Sequence, residues 1–361
     1  MPPLSAVGIS GLQAGEDVNK QARTKSDDTM RAVVMSVAGG PEVLKPGEVP
    51  RPVPGDVNQI LVRLEAAGVN PVDTKLRSRG TYFPERMPAI LGCDGAGVVE
   101  AVGEDVHRFQ VGDEVYFCSG GIGGHPGNYA EYAVVDEIVA ARKPDSIDFT
   151  AAAAVPLAAI TAWESLYDRG RLKVGQRTLI HAGAGGVGHI AVQLALAREA
   201  WVCTTVGSRE KADFVARLGA HETILYKEKD FVEAVLAWSG GEGVDLVLDT
   251  VGAETFARSF AAVRFYGDLV TLLQPGPEVD WKEARLRNLR VSYELMLAPM
   301  LHDLPQARRH HGEILEQCAR LIDEGRLSVH VAETFPLAQA AKAHRRLEKG
   351  SLTGKLVLTI P

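Results

Sequence analysis

Hydrophobic and polar positions follow three successive patterns along the chain. From Met30 to about Asp148, short β-like runs such as Ile60–Leu64 and Tyr129–Val135 alternate with turns rich in Gly and Pro. This alternation is typical of an irregular antiparallel barrel or sandwich. An Ala-rich helical stretch, Thr150–Ala154, then marks the change to a second pattern.

In the second pattern, from Arg177 onward, apolar strands and helical segments alternate regularly. The predicted strands are 177–182, 200–206, 222–226, 244–249 and 267–273. The helices between them are predicted near 187–198, 209–218, 229–238 and 253–263. A strand–helix–strand rhythm of this kind predicts a parallel, doubly wound sheet.

The third pattern begins after about Leu297. Apolar residues at helical spacing form a stripe from Ile314 to Ile322, and Gly325 ends this helix. The elements predicted after it are a strand at 327–331, a helix at 337–348 and a last strand at 355–360. Because this tail contains strands outside the α/β unit, we expect it to pack back onto the first, β-rich part of the chain.

Length and charge narrow the class of protein. The chain has 361 residues, which is long for a single core and suits two domains. Its formal net charge is −7, from 39 basic and 46 acidic residues, and it has no basic block. Neither nucleic acid nor an anionic membrane surface is therefore expected as the main partner. No apolar stretch approaches the length of a membrane span.

The cysteines and the N-terminal stretch indicate the cellular setting. Cysteines stand singly, without a C-x-x-C pair, at Cys93, Cys118, Cys203 and Cys318. This distribution favours a reduced, cytoplasmic protein. The first 29 residues are polar and lack a basic-then-apolar signal pattern. We predict that residues 1–29 are a disordered extension and that the fold begins at Met30.

The segment after the first strand of the second pattern carries the most informative chemistry. Its glycines stand at G-x-G-x-x-G spacing between a strand and a helix. In such a turn the first glycine allows a tight turn, the second lets the backbone approach a pyrophosphate, and the third lets the helix pack near the strand. The phosphate then binds N–H groups at the positive end of the helix dipole. The residues expected to contact a dinucleotide are Gly183, Gly185, Gly186, Val187 and Gly188.

The end of the following strand indicates which nucleotide is bound. NAD-binding sheets place an acidic residue there, roughly 20 positions beyond the glycines, where it binds the ribose 2′-hydroxyl. Here Ser208, Arg209 and Lys211 follow the strand instead. Glu210, an acid among them, is the evidence against a phosphate at this position. A hydroxyl and two cations suit a 2′-phosphate, because charge-assisted hydrogen bonds are the stronger ones. Cations at a helix N-terminus also oppose the dipole, so a merely solvated role leaves their placement unexplained. The sequence therefore favours NADPH over NADH.

Several motifs in order resemble the medium-chain dehydrogenase/reductase superfamily, specifically its zinc-free quinone oxidoreductase (zeta-crystallin-like) branch. Besides the glycine turn they are GVNPVDTK at 68–75, GCDGAGVVEAVG at 92–103, VGDEV at 111–115 and GKLV at 354–357. The resemblance extends from Met30 to the end of the chain. It implies an α/β protein with a GroES-like irregular β-barrel catalytic domain, residues 30–150 and 299–361. A doubly wound Rossmann domain, residues 151–298, would interrupt it and bind NADP.

The superfamily's alcohol dehydrogenases carry a catalytic zinc, and the resemblance lets its ligands be tested. Such a zinc needs three protein ligands, typically Cys or His. Where those enzymes place the first Cys ligand, this chain has Asn70, and Cys93-Asp94 stands where they have His-Glu. We therefore expect no metal, although a thiolate at Cys93 beside Asp94 leaves one unusual site open.

The resemblance also assigns residues to the cleft. Asn70 and Tyr82 match family residues that line the nicotinamide and substrate cleft, and without a metal they would donate hydrogen bonds to the substrate oxygen. Thr161 resembles a hydroxyl close to the nicotinamide, Tyr226 the residue flanking the adenosine, and Lys355 a C-terminal lysine that reaches the cleft. The alternatives are a turn cap for Asn70, loop packing for Tyr82, an amphipathic strand end for Tyr226 and an ordinary surface charge for Lys355.

The predicted function is NADPH-dependent hydride transfer to a quinone or an α,β-unsaturated carbonyl without a metal. Two alternatives stand beside it. One is a zinc-containing alcohol dehydrogenase, and the other is a non-catalytic NADPH-binding protein of the crystallin or interaction type. The run Leu289–Leu295 alternates like an edge strand, which predicts a homodimer paired across a two-fold axis.

Overall fold

The computed structural model describes residues 28–361. All but the last two residues of the predicted extension lie outside this range, and Thr29 already belongs to the first strand. The strands, in chain order, are β1 (Thr29–Met35), β2 (Leu44–Pro50), β3 (Gln59–Val69), β4 (Ala89–Ile90), β5 (Asp94–Val102), β6 (Glu114–Cys118), β7 (Tyr132–Asp136), β8 (Ala140–Arg142), β9 (Arg177–Ile180), β10 (Trp201–Val206), β11 (Glu222–Leu225), β12 (Val244–Asp249), β13 (Val263–Thr271), β14 (Arg290–Tyr293), β15 (Val331–Pro336) and β16 (Lys355–Thr359).

Helices connect or cover these strands. They are α1 (Pro71–Arg79), α2 (Phe149–Ala153), α3 (Pro156–Trp163), α4 (Gly188–Ala197), α5 (Arg209–Arg217), α6 (Phe231–Trp238), α7 (Ala253–Ser259), α8 (Lys282–Leu286), α9 (Ala298–Leu301), α10 (Pro305–Asp323) and α11 (Ala340–Glu348). Within residues 28–361, no helix has both the length and the apolar character that crossing a membrane requires.

Six strands form a parallel sheet in the order β11-β10-β9-β12-β13-β14. Every neighbouring pair in it is parallel. Numbered from β9, this order is 3-2-1-4-5-6, the order of a dinucleotide-binding doubly wound sheet. The prediction of a Rossmann-type sheet is confirmed. The fifth strand begins earlier than expected, at Val263, because the preceding helix closes in a short 3-10 turn, Phe260–Ala262.

The β-rich parts of the chain form two further sheets. One has the order β15-β16-β3-β5-β6-β8, with β7 also pairing with β3, and the other has the order β2-β1-β4. Apart from the parallel pair β15 and β16, their pairings are antiparallel. The last strand, β16, pairs with β3, so the end of the chain completes a sheet begun near its start. This is the expected GroES-like architecture.

The prediction of a strand at 327–331 is wrong, since the strand runs over 331–336. The backbone of 328–330 is bound largely by side chains of α4, while the His330 carbonyl oxygen accepts the N–H of Lys355, the first residue of β16, at 2.9 Å. Gln193 accepts hydrogen bonds from the Ser328 N–H and hydroxyl, each at 2.9 Å, and His189 Nε2 accepts one from the His330 N–H at 3.2 Å. Periodicity along the sequence cannot reveal such contacts with a distant helix.

Two elements show how the core fixes the position of the site. Strand β3 lies between β16 and β5 and is buried along most of its length, as its nearly continuous apolar run requires. Helix α4 is buried from Gly188 to Ala195, because it packs on β9, β10 and α3 at once. The N-terminus of α4 and the C-terminal end of β3 are therefore held rigidly.

Candidate active site

The glycine turn leads from β9 into α4, as predicted. A Cβ atom at Gly183 would lie 2.0 Å from Thr204 Oγ1, and one at Gly188 would lie 2.2 Å from the Ala182 carbonyl oxygen. The left-handed residue of the turn is Ala182, with φ of 52°, whereas Gly183 lies outside that region. The expected reason for Gly183 is therefore corrected: close approach to β10, not turn conformation, requires a glycine there.

The turn presents donors suited to an anion. In the described part of the chain, no protein acceptor is present for the N–H groups of Gly186 and Val187, which precede the first turn of α4. Such N–H groups at a helix N-terminus bind phosphate. His189 supports the loop from inside, with its Nδ1 at 2.8 Å from the Gly185 carbonyl oxygen. Burial lowers the pKa of His189 to about 4, so the ring is neutral and donates this bond.

The residues expected near the ribose 2′-phosphate lie just after the end of β10 and of β11. Ser208 caps α5, and its hydroxyl accepts the Lys211 N–H at 3.4 Å. Arg209 is 80% exposed and pairs with Glu228 at 3.3 Å. Tyr226 follows β11, and a Cβ atom on Gly207 would lie 3.1 Å from the tyrosine hydroxyl. The Tyr226 side chain thus lies over the backbone of the loop after β10.

Lys211 lies in a cluster of positive charge that sequence reasoning only partly found. Burial, together with the charges of Lys227 and Arg346, lowers the pKa of Lys211. Lys227 follows β11 and Arg346 belongs to α11, so three distant parts of the chain converge. Arg346 pairs with Glu333 at 2.5 Å, whereas no ion pair within residues 28–361 involves Lys211 or Lys227. These cations suit a phosphate group. Only Lys211 lay at a position that a motif could mark.

On the other side of the glycine turn, Asn70 lies between β3 and α1. Its side chain is buried, with 1% exposure, and the residue is the N-cap of α1. The amide nitrogen donates to Asp94 Oδ2 at 2.8 Å, and the amide oxygen accepts a short hydrogen bond from Lys355. The turn-cap alternative for Asn70 therefore stands beside its contacts with Asp94 and Lys355, and Asp73 Oδ2 accepts the Asn70 backbone N–H at 2.7 Å.

Sheet register brings these side chains together. Strand β3 is flanked by β16, with Leu356 opposite Val69, and by β5, with Asp94 opposite Gly68. Lys355 therefore lies beside Asn70. Next to it, the Gly354 N–H donates to the Ala184 carbonyl oxygen of the glycine turn at 2.9 Å. Lys355 is buried, with 4% exposure, so it is not an ordinary surface charge.

Helix α3 and the loop after α1 complete the surroundings. The N-terminal N–H of Leu157 donates to Asp94 Oδ1 at 2.8 Å. Thr161 lies one turn later on the same helix face, and its hydroxyl donates to the Leu157 carbonyl oxygen at 2.7 Å. Tyr82 is 48% exposed, and its N–H donates to the Ile122 carbonyl oxygen at 3.2 Å. Within residues 28–361 no hydrogen bond joins Tyr82 to Asn70, which lies at the other end of α1.

A second buried acid lies beneath Asn70. Burial raises the pKa of Asp73 to about 7, against the hydrogen bond from the Asn70 N–H. The Tyr129 hydroxyl lies 3.1 Å from Asp73 Oδ2 and 3.1 Å from His344 Nε2. Burial lowers the pKa of His344 to about 3, so this ring is neutral. Asp73, Tyr129 and His344 thus form a buried polar network, in which Asp73 Oδ1 and His344 Nδ1 have no hydrogen-bond partner within residues 28–361.

The residues at the position of a family zinc do not fit that ion. The Cys93 and Cys118 side chains are free thiols that form a hydrogen bond with each other. Both thiols have a raised pKa, whereas zinc binds thiolates. The oxygen donors of Asn70 and Asp94 already face the Lys355 ammonium. Throughout residues 28–361, no group of three or more His, Cys, Asp or Glu side chains is arranged to hold a metal ion.

Comparison with known proteins agrees with this architecture. Residues 56–145 match the family model of the alcohol dehydrogenase GroES-like domain, and residues 218–358 match that of the zinc-binding dehydrogenases. The chain is 34% identical to the quinone oxidoreductase of Pseudomonas aeruginosa over 328 residues, 91% of this chain and 99% of that protein. It is 30% identical to the human quinone oxidoreductase over 335 residues, 92% of this chain and 98% of the relative.

A solved structure gives the same result. A mycobacterial protein in complex with NADPH superimposes with a TM-score of 0.80 at 32% identity, covering 91% of this chain and all of that one, 100%. The chain belongs to the medium-chain dehydrogenase/reductase superfamily, in its quinone oxidoreductase branch. It is an oxidoreductase enzyme of that type, and it uses the nicotinamide cofactor of the family.

Proposed function

We propose that this enzyme transfers a hydride from NADPH to a quinone or an α,β-unsaturated carbonyl, without a metal ion. The observation that carries the proposal is the pairing of two sites across the glycine turn. One is a phosphate-binding helix end with cations beside it, and the other is a buried amide–carboxylate–ammonium group on β3, β5 and β16. The quinone oxidoreductase relatives and the NADPH-bound neighbour support this choice of substrate and cofactor.

Cofactor contacts follow from the predicted residues. Gly183, Gly185, Gly186, Val187 and Gly188 would carry the pyrophosphate, and Thr161 would lie toward the nicotinamide, with Lys355 bound to Asn70 nearby. At the other end, Ser208, Arg209, Lys211 and Tyr226 would surround the adenosine and its 2′-phosphate. Lys227 and Arg346 join this second group because their charges act on Lys211.

Specificity for NADPH is tested at Lys211. Lys211→Met should raise the KM for NADPH by about tenfold, the loss expected for one charge-assisted bond, and leave the KM for NADH unchanged. Lys173→Met removes an exposed lysine far from the turn and is the matched control. If the variant loses NADH and NADPH affinity equally, Lys211 does not read the 2′-phosphate.

Substrate class is tested by a screen that follows cofactor oxidation with quinones, enones and aldehydes, using NADPH and NADH in parallel. We expect turnover with quinones or enones and NADPH. Activity confined to saturated alcohols and aldehydes, together with one stoichiometric zinc in the purified enzyme, would support the zinc alcohol dehydrogenase instead.

Asn70 and Tyr82 are proposed to polarise the substrate oxygen. Removing one such donor lowers turnover on the order of 10²-fold. Asn70→Ala and Tyr82→Phe should therefore lower kcat with a quinone while NADPH binding is retained. Full turnover in both variants would show that neither residue has this role.

Domain organisation, assembly and location complete the proposal. Residues 30–150 and 299–361 would form the catalytic domain, and 151–298 the nucleotide-binding domain. A homodimer would pair through β14, the edge strand, where Tyr293 is 56% exposed. Sedimentation would test the dimer.

The four free, buried cysteines support a cytoplasmic location.

A further inference from the structure

The Asn70 amide is held by two groups of opposite hydrogen-bonding character. Lys355 has only donors, and it faces the amide oxygen. Asp94, when ionised, has only acceptors, and it faces the amide nitrogen at 2.8 Å. A flipped amide would place its NH₂ group against the ammonium and its oxygen against the carboxylate. Both contacts would be repulsive, so only one orientation of the amide is compatible with this pair.

The two clamping groups are themselves fixed. Asp94 Oδ1 accepts the Leu157 N–H at 2.8 Å, at the positive N-terminal end of α3. Gly68 stands opposite Asp94, and a Cβ atom there would lie 2.4 Å from the Ala153 carbonyl oxygen. Lys355 Nζ lies 3.5 Å from Asp94 Oδ2 and its backbone is bound at the start of β16. Asn70, Asp94 and Lys355 thus form one buried triad.

The charges also balance within this triad. Asp94 and Lys355 are 0% and 4% exposed, so each would be an uncompensated buried charge without the other. Removing one partner of a buried pair is strongly destabilising, whereas removing both is tolerated better. This difference lets stability and orientation be measured separately.

We propose that Asp94 and Lys355 form an ionic clamp that fixes the orientation of the Asn70 amide, and that Lys355 is therefore a positioning residue rather than a nucleotide ligand. One N–H of the Asn70 amide goes to Asp94, and the clamp leaves the other for the substrate oxygen. This use of the second N–H rests on the proposed function, whereas the clamp itself rests on the geometry alone.

The test compares Asp94→Asn, Lys355→Met and the double variant, with Lys173→Met as control. Each single variant should lower the thermal unfolding midpoint by several degrees, and the double variant should recover at least half of that loss. In Asp94→Asn the bond from Leu157 keeps the new amide oxygen in place, so its NH₂ group faces Asn70. The Asn70 amide of the double variant should therefore flip, so that its oxygen and not an N–H faces the substrate.

Kinetics then separate positioning from stability. Asp94→Asn and the double variant should lose roughly 10²-fold in kcat with a quinone, the double variant despite its recovered midpoint. Lys355→Met should lose less, because Asp94 still accepts an N–H of the Asn70 amide. The KM for quinone and the Kd for NADPH, measured by fluorescence titration, should change less than about threefold. The control should match the wild type in every measurement.

Three results would overturn the clamp. They are additive losses of stability in the double variant, wild-type turnover in that variant, and a large rise of the NADPH Kd in Lys355→Met alone. If a single variant does not fold, comparing the double variant with the wild type in unfolding midpoint and turnover still tests the clamp. If the wild type oxidises no NADPH with any acceptor, the proposed function fails, and the stability cycle still tests the clamp.

Discussion

One methyl group, added at Gly183 or at Gly185, should separate the folding role of the glycine turn from its cofactor role. At Gly183 the new Cβ would lie 2.0 Å from Oγ1 of Thr204, which is fully buried and donates to the Ile180 carbonyl oxygen at 2.6 Å. At Gly185 the nearest atom is the Ala182 carbonyl oxygen, at 3.1 Å. Neither glycine has a left-handed φ, so backbone conformation does not complicate the comparison.

The sizes of the two effects follow from these distances. The contact in Gly183→Ala is about 1 Å shorter than any tolerated Cβ contact, and Thr204 is held too firmly to move cheaply. Overpacking of this kind costs about 1–3 kcal/mol, which lowers the unfolding midpoint by several degrees. Gly185→Ala needs only a small adjustment, yet its methyl group fills the space where a pyrophosphate approaches the backbone. We expect NADPH binding to weaken by at least about tenfold, or about 1.4 kcal/mol.

The assay measures both properties in each protein. Thermal unfolding without cofactor gives stability, and fluorescence titration with NADPH gives affinity. Gly183→Ala should be destabilised, and Gly185→Ala should unfold like the wild type but bind NADPH weakly. Adding Thr204→Ala to Gly183→Ala removes the clashing hydroxyl, so the pair should be more stable than the sum of the single changes predicts.

Two outcomes would refute this reasoning. If Gly183→Ala is as stable as the wild type, or if Thr204→Ala brings no relief, close packing against β10 is not what requires glycine. If Gly185→Ala binds NADPH as tightly as the wild type, the cofactor does not approach the backbone at this turn.

Two further predictions concern stability. Burial, with the neighbouring Glu164, raises the pKa of Glu294 from 4.5 to about 8. The free energy of unfolding should therefore fall as pH rises through that interval, because the unfolded chain releases this proton while the folded protein still holds it. Denaturant titrations should show that the free energy of unfolding of Glu294→Gln declines less than that of the wild type between pH 4.5 and 8. Parallel pH profiles for the two proteins would contradict this. Gln193→Ala removes four hydrogen bonds, to Ser328 and to the His189 carbonyl oxygen. The substitution should lower the free energy of unfolding by roughly 2–4 kcal/mol and speed hydrogen exchange at 326–330. Unchanged exchange there would show that the Gln193 hydrogen bonds do not hold this segment.

Local patterns were sufficient for the parts of this protein that are local in structure. The glycine turn, the cations after β10 and the strand–helix rhythm each lie within a short stretch, where spacing along the chain fixes spacing in space. The Rossmann sheet and the class of enzyme could therefore be predicted before any coordinates. The segment at 327–331 could not, because its hydrogen bonds go to Gln193 and His189 on a distant helix.

The sequence by itself determined a nicotinamide-dependent oxidoreductase of two folding patterns, with a motif for each. Only the tertiary structure decided how those motifs meet. Asn70 and Lys355 stand 285 positions apart, and they touch because β16 pairs with β3 in one particular register. Arg346 reaches the cations after β10 in the same way, from α11. Register and helix packing depend on the whole core at once, so no single stretch of sequence contains them.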